Sequence, residues 1–130
     1  MAIEPDTASL RPDKVGSDDS ALYWASRNGH LDIVEYLINN GAENEFVLCT
    51  ASERGHLDIV KYLISHNADI HVNNDRAFRY ALLYNQLEVV KYLVANGANV
   101  NADKDFTLIW ASMNSHLDVV EYLKRIMNRM

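Results

Sequence analysis

Three histidines and one cysteine are the side chains of this chain best equipped for chemistry. His30, His56 and His116 each open a His-Leu-Asp triplet, and imidazole is a common zinc ligand. The third unit's copy of that triplet reads Gln86-Leu87-Glu88, so the spacing belongs to a repeat and one member cannot bind as a histidine. The set therefore reads as a turn element, and no metal is expected. Cys49 has no second cysteine with which to form an internal disulfide. Its neighbours Val47, Leu48 and Ala51 point to a packed thiol, whereas a reactive cysteine needs an electropositive, accessible setting. A lone cysteine also suits a reducing compartment. The chain has no glycine-rich phosphate loop, no HExxH, no CxxC and no nucleophile motif. No catalytic residue, cofactor or enzymatic activity is expected.

The elements that carry these residues come in four copies. Gly29-His30-Leu31-Asp32-Ile33-Val34-Glu35-Tyr36-Leu37 returns at Gly55 to Leu63, Asn85 to Leu93 and Ser115 to Leu123. Tyrosines 36, 62, 92 and 122 mark the register at spacings of 26, 30 and 30 residues. A period of that size means stacked units rather than one irregular core. Each unit reads as two short helices. The first begins near Asp19, Glu45, Asp75 or Asp105, where an acid suits the positive end of the helix dipole and aspartate can cap backbone donors.

Apolar and small residues recur at offsets of three and four on the first helices: Leu22, Ala25 and Ser26; Leu48, Ala51 and Ser52; Phe78, Ala81 and Leu82; Leu108, Ala111 and Ser112. The second helices bury Leu31, Val34, Leu37 and Ile38 and their equivalents. Their other side carries charges such as Asp32, Asp58, Lys61 and Glu121, which reads as a solvated face. The four tyrosines belong at the edge of the buried stripe, ring packed and hydroxyl wet. Gly41, Asn67 and Gly97 stand where each second helix must stop in left-handed geometry. The linkers Asp69 to Asn74 and Asn99 to Lys104 alternate enough to predict small hairpins. The last stretch, Lys124 to Met130, lacks the glycine stop and predicts a longer final helix, with Ile126 and the methionines capping the stack.

This pattern resembles the ankyrin repeat, whose unit runs roughly TPLHxAAxxGHxxxVxxLLxxGAD. The match is carried by Phe106-Thr107-Leu108-Ile109-Trp110-Ala111-Ser112-Met113-Asn114-Ser115-His116, by Leu117 to Leu123, and by Gly41-Ala42, Asn67-Ala68 and Gly97-Ala98. It covers Asp19 to Leu123. The resemblance implies a mainly α solenoid of four helix-turn-helix repeats, about 20–45, 46–75, 76–105 and 106–130, after an N-terminal arm over 1–19. The Thr-Pro-Leu-His opening is absent, and the 30-residue period looks like the short-unit arrays of giant DNA viruses and some protists. The first linker is shorter still and predicts a missing first finger.

In that family the inner-helix surface and the fingers grip partner proteins. With ~100° per residue, the residues turned away from the small-residue stripe include Trp24, Arg27, Arg54, Tyr80, Leu83, Tyr84, Trp110 and Met113, which are the expected contacts. Large apolar and aromatic side chains there are typical interface anchors. Packing between neighbouring repeats is the competing role for Trp24, Tyr80 and Trp110. The expected function is a non-enzymatic adaptor that holds a partner protein in a concave groove; the alternative is a structural protein that assembles through its repeat ends.

Charge and hydropathy narrow the field further. Twelve Lys plus Arg against 18 Asp plus Glu leave a net charge of -6, which repels nucleic acid and anionic membranes. No apolar run approaches the ~18 residues of a membrane span. The composition predicts a soluble intracellular protein, in the host cytoplasm if viral, monomeric apart from weak end-to-end association.

Overall fold

The computed structural model describes residues 19–42 and 45–128, so the arm expected over 1–19 falls, Asp19 apart, outside the described residues. Eight helices follow one another: α1 (Asp19–Asn28), α2 (Leu31–Asn39), α3 (Glu45–Arg54), α4 (Leu57–Ser65), α5 (Val72–Leu83), α6 (Leu87–Ala95), α7 (Lys104–Met113) and α8 (Leu117–Asn128). Each odd-numbered helix pairs with the even-numbered helix after it, and like helices of successive pairs lie side by side. The architecture is the helix-turn-helix solenoid that the periodicity predicts.

Two layers result. The odd helices pack more closely on one another than the even helices do. The cause is residue size. Ala25, Ala51, Ala81 and Ala111 are wholly buried between neighbouring odd helices, where a larger side chain would hold them apart. Leu22, Leu48 and Phe78 seal the odd layer from within, and Val34, Val60, Val90 and Val120 meet them from the even layer. A further buried column, Ile59, Val89 and Val119, was not part of the expected stripe. Its first member, Ile33, is only half-buried, with no earlier helix pair against it among the described residues.

Turn chemistry sets the repeat boundaries. At the end of each complete second helix, the amide of Ala42, Ala68 or Ala98 donates to the carbonyl of Leu37, Leu63 or Leu93 at 2.9–3.0 Å. That closure needs a left-handed residue immediately before the alanine. Gly41 (φ 99°), Asn67 (φ 68°) and Gly97 (φ 97°) supply it.

Several expectations are corrected. No strand occurs among the described residues, so the linkers are turns and not hairpins. In the first long linker the chain instead runs left-handed through Asn73, Asn74 and Asp75 (φ 55°, 59° and 55°), and regular helix begins at Arg76. Three such residues in a row are costly without glycine, although Asn and Asp tolerate this region best. Arg79 spans them, its Nε donating to the Asn74 carbonyl and its Nη2 to the Asn73 carbonyl, each at 3.0 Å. Asp75 does not cap its own helix. Its buried carboxylate accepts the Asn99 amide at 2.7 Å and meets His71 Nδ1 at 2.9 Å, joining two successive linkers. Asp105 lies inside α7, behind Asp103, which makes no side-chain cap.

The fourth unit also departs from its predicted core. Leu108 is half-buried and Ser112 exposed, whereas Ser26 and Ser52 are wholly buried. The difference is position: Ser112 stands at the end of the stack, where no fifth unit covers it among the described residues. The longer last helix forms as expected, with Ile126 and Met127 packed against the core. The expected contact of Ile126 with Met130 lies outside the described residues. Tyr62, Tyr92 and Tyr122 are half-buried, and Tyr36, with no earlier helix pair beside it among the described residues, is 46% exposed.

Candidate functional site

The eight expected contact residues all sit on odd helices or their ends. Met113 (78% exposed), Tyr84 (53%), Trp110 (43%) and Trp24 (40%) are the most open of the apolar ones. Arg27 and Arg54 are exposed, while Tyr80 and Leu83 are half-buried. Within a repeat, rings four residues apart lie beside one another. Tyr80 and Tyr84 have centroids 6.2 Å apart, and Phe106 and Trp110 6.4 Å apart.

Corresponding positions do not do corresponding work. Trp24 stacks on His30, rings 4.8 Å apart and 7° from parallel. Tyr80 lies under Arg76, whose guanidinium carbon is 4.7 Å from the ring centroid and whose Nη2 donates to the Tyr80 hydroxyl at 3.1 Å. Trp110 donates its indole N–H to the Leu83 carbonyl of the previous repeat at 3.2 Å. Trp110 thus combines an exposed ring with a bond between repeats. Its neighbour Met113 has no such engagement.

The histidines resolve into structural parts. His56 Nε2 is 2.7 Å from the Arg27 carbonyl, and Gln86 Nε2 donates to the Glu53 carbonyl at 3.0 Å. Each satisfies a carbonyl left free at the end of the preceding first helix. Glutamine replaces histidine there without loss because either side chain can donate to a carbonyl. Among the described residues no three His, Cys, Asp or Glu side chains are grouped to hold a metal ion.

Between α1, α3 and α5 lies a groove of about 320 Å³ lined by Tyr23, Phe46, Cys49, Thr50, Glu53 and Tyr80, with Asn73 and Arg76 at its far side. The Tyr23 and Phe46 rings stand 6.4 Å apart along one wall. Cys49 is half-buried and not fully interior as expected. Burial pushes its thiol pKa up, with Arg76 acting in the opposite direction. The bond to Tyr80, followed by the Cys49 charge, holds the proton on Arg76 more firmly than usual.

Of these lining residues only Tyr80 was among the expected contacts. Tyr23, Cys49 and Arg79 occupy the same register position, the place of the family's histidine, where the sequence shows no shared chemistry. Arg76 escaped notice because its importance comes from the ring beneath it, four residues on.

No helix among the described residues is long and apolar enough to cross a membrane. No curated protein shows significant similarity to the chain. A family model described as ankyrin repeats, in three copies, matches residues 22–104 and again 48–128, spanning every helix pair described above. The chain therefore belongs to the ankyrin-repeat family, whose repeats are generally protein–protein interaction modules.

Proposed function

We propose that this protein is a non-enzymatic adaptor that grips a partner protein along the odd-helix surface. The observation that carries this reading is the exposure of large apolar side chains on three of the four odd helices or their ends: Trp24, Tyr84, Trp110 and Met113. Exposed anchors of this kind cluster at interfaces, where a few residues supply most of the binding energy. Leu83 and Tyr80 form the half-buried floor beneath them, and Arg27 and Arg54 the charged rim. The partner is a protein, bound by a monomer, with neither nucleic acid nor membrane involved; the net charge of -6 supports those exclusions.

Replacing Tyr84 and Met113 together by alanine is expected to weaken capture of partners from source-cell extract at least tenfold, since two anchors at 1–2 kcal/mol each exceed about 1.4 kcal/mol. The helical circular-dichroism spectrum and urea midpoint should hold, both side chains being exposed. Unchanged capture would move the interface elsewhere.

A second reading has its own observation. Phe106, Ile109 and Leu117 are 54–67% exposed at the last repeat, and Ser112 opens the same end of the stack. End-to-end self-assembly would cover them. Light scattering over a dilution series separates the readings, because a persistent monomer eliminates strong assembly.

A further inference from the structure

The groove between α1, α3 and α5 has an unbalanced chemistry. Several of its donors have protons to spare. Arg76 is exposed, has no carboxylate within ion-pair distance among the described residues, and spends one N–H on the Tyr80 hydroxyl. The Thr50 hydroxyl makes no hydrogen bond among those residues, and the Tyr23 hydroxyl, which accepts from Arg27 at 3.4 Å, keeps its own proton to give. Two of the acceptors are already engaged. Glu53 pairs with Arg54 at 3.5 Å, and the Asn73 carbonyl is held by Arg79. Arg79 in turn leans on Asp103 at 3.8 Å.

We propose that this groove takes the carboxylate of an acidic residue in an extended segment of the partner protein, with Arg76 as its anchor and the Tyr23 and Phe46 rings as the seat for an apolar neighbour. The inference rests on the adaptor reading and names the chemistry of its occupant. Charge complementarity is the argument. The groove's lining carries Arg76 and Glu53, and Glu53 is already paired with Arg54 whereas Arg76 has no carboxylate partner among the described residues, so on a chain of net charge -6 the unpaired guanidinium is a point that suits an anion. Stacking on Tyr80 fixes the guanidinium plane before binding, so less side-chain freedom is lost when a two-oxygen acceptor docks. The volume of about 320 Å³ accommodates one or two side chains and not a folded domain.

The probe is a random 12-residue peptide display library selected on the full chain. Cys49, the single cysteine, lines the groove and reports occupancy through its rate of maleimide labelling. Enriched peptides are expected to carry Asp or Glu beside an aromatic or aliphatic residue and to slow Cys49 labelling. They should lose about tenfold or more in affinity on Arg76→Gln, with partial recovery in Arg76→Lys, as removal of a charge-assisted hydrogen bond implies. Arg76 is exposed, so both variants retain the fold.

Enriched peptides that lack acidic residues, or that bind Arg76→Gln as tightly as the parent, overturn the proposal. If such peptides still depend on Tyr84 and Met113, the adaptor reading stands without the anionic anchor. A library that yields no binder overturns both.

Discussion

The first two junctions between repeats and the last one solve the same problem with different atoms. Each first helix ends on a carbonyl that faces the next repeat: Arg27, Glu53 and Leu83. At the first two junctions the donor comes over a glycine. His56 crosses Gly29 (φ 79°), and Gln86 crosses Gly55 (φ 77°), so closely that a Cβ on Gly29 would lie 2.8 Å from His56 Cε1. The third junction has Asn85, which holds the same left-handed turn (φ 59°) but brings a side chain into that space. His116 then leaves the carbonyl, its Nδ1 buried without a hydrogen-bond partner, and Trp110 donates to Leu83 instead. Register survives while chemistry changes. Where the turn residue lacks a Cβ the second helix of the next repeat supplies the bond, and where it is Asn85 the first helix does, through a tryptophan that the other two junctions replace with Thr50 and Tyr80.

The largest effect should come from filling the gap. Gly29→Ala adds left-handed strain of ~1–2 kcal/mol and displaces His56 from a bond worth roughly 1 kcal/mol, so the urea midpoint should drop by the equivalent of about 2–3 kcal/mol. A loss below about 1 kcal/mol would mean that the close approach is not required. Next in size is the asymmetry of the histidines. His56→Ala should cost about 1 kcal/mol, and His116→Ala clearly less, because its ring nitrogen satisfies nothing. Equal losses would break the comparison.

The smallest change sharpens it most. Asn85→Gly relieves turn strain and opens the path for His116, stabilising by less than about 1 kcal/mol. In that background Trp110→Phe, which removes only the indole donor, should cost less than it does alone. A double-mutant cycle measures the difference, and strict additivity would show that the two donors do not compete for the Leu83 carbonyl.

How far the residues alone could lead differs between the scaffold and the surface. Leu22, Leu48, Phe78 and their partners on the second helices were legible because helical spacing repeats them at one angle, and burial follows from that angle. Gly41, Asn67 and Gly97 were legible for a local reason, the backbone angle that each must adopt. The roles of Trp24, Tyr80 and Trp110 were not separable in this way, since each is defined by a neighbour: His30, Arg76 and the Leu83 carbonyl. Asp75 reads as a helix cap in sequence, and its true acceptor role depends on a linker 24 residues away.

Periodicity thus settles what is repeated, namely helix pairs, their buried stripe and their left-handed stops, because those properties depend on spacing within one unit. Packing of unit on unit assigns everything that distinguishes the repeats. Burial of Ser26 and Ser52 but not Ser112, and the donors that cross each junction, depend on what stands next door and how near it comes. Distances of 3 Å between residues nearly 30 apart follow from tertiary geometry, and no local pattern encodes them.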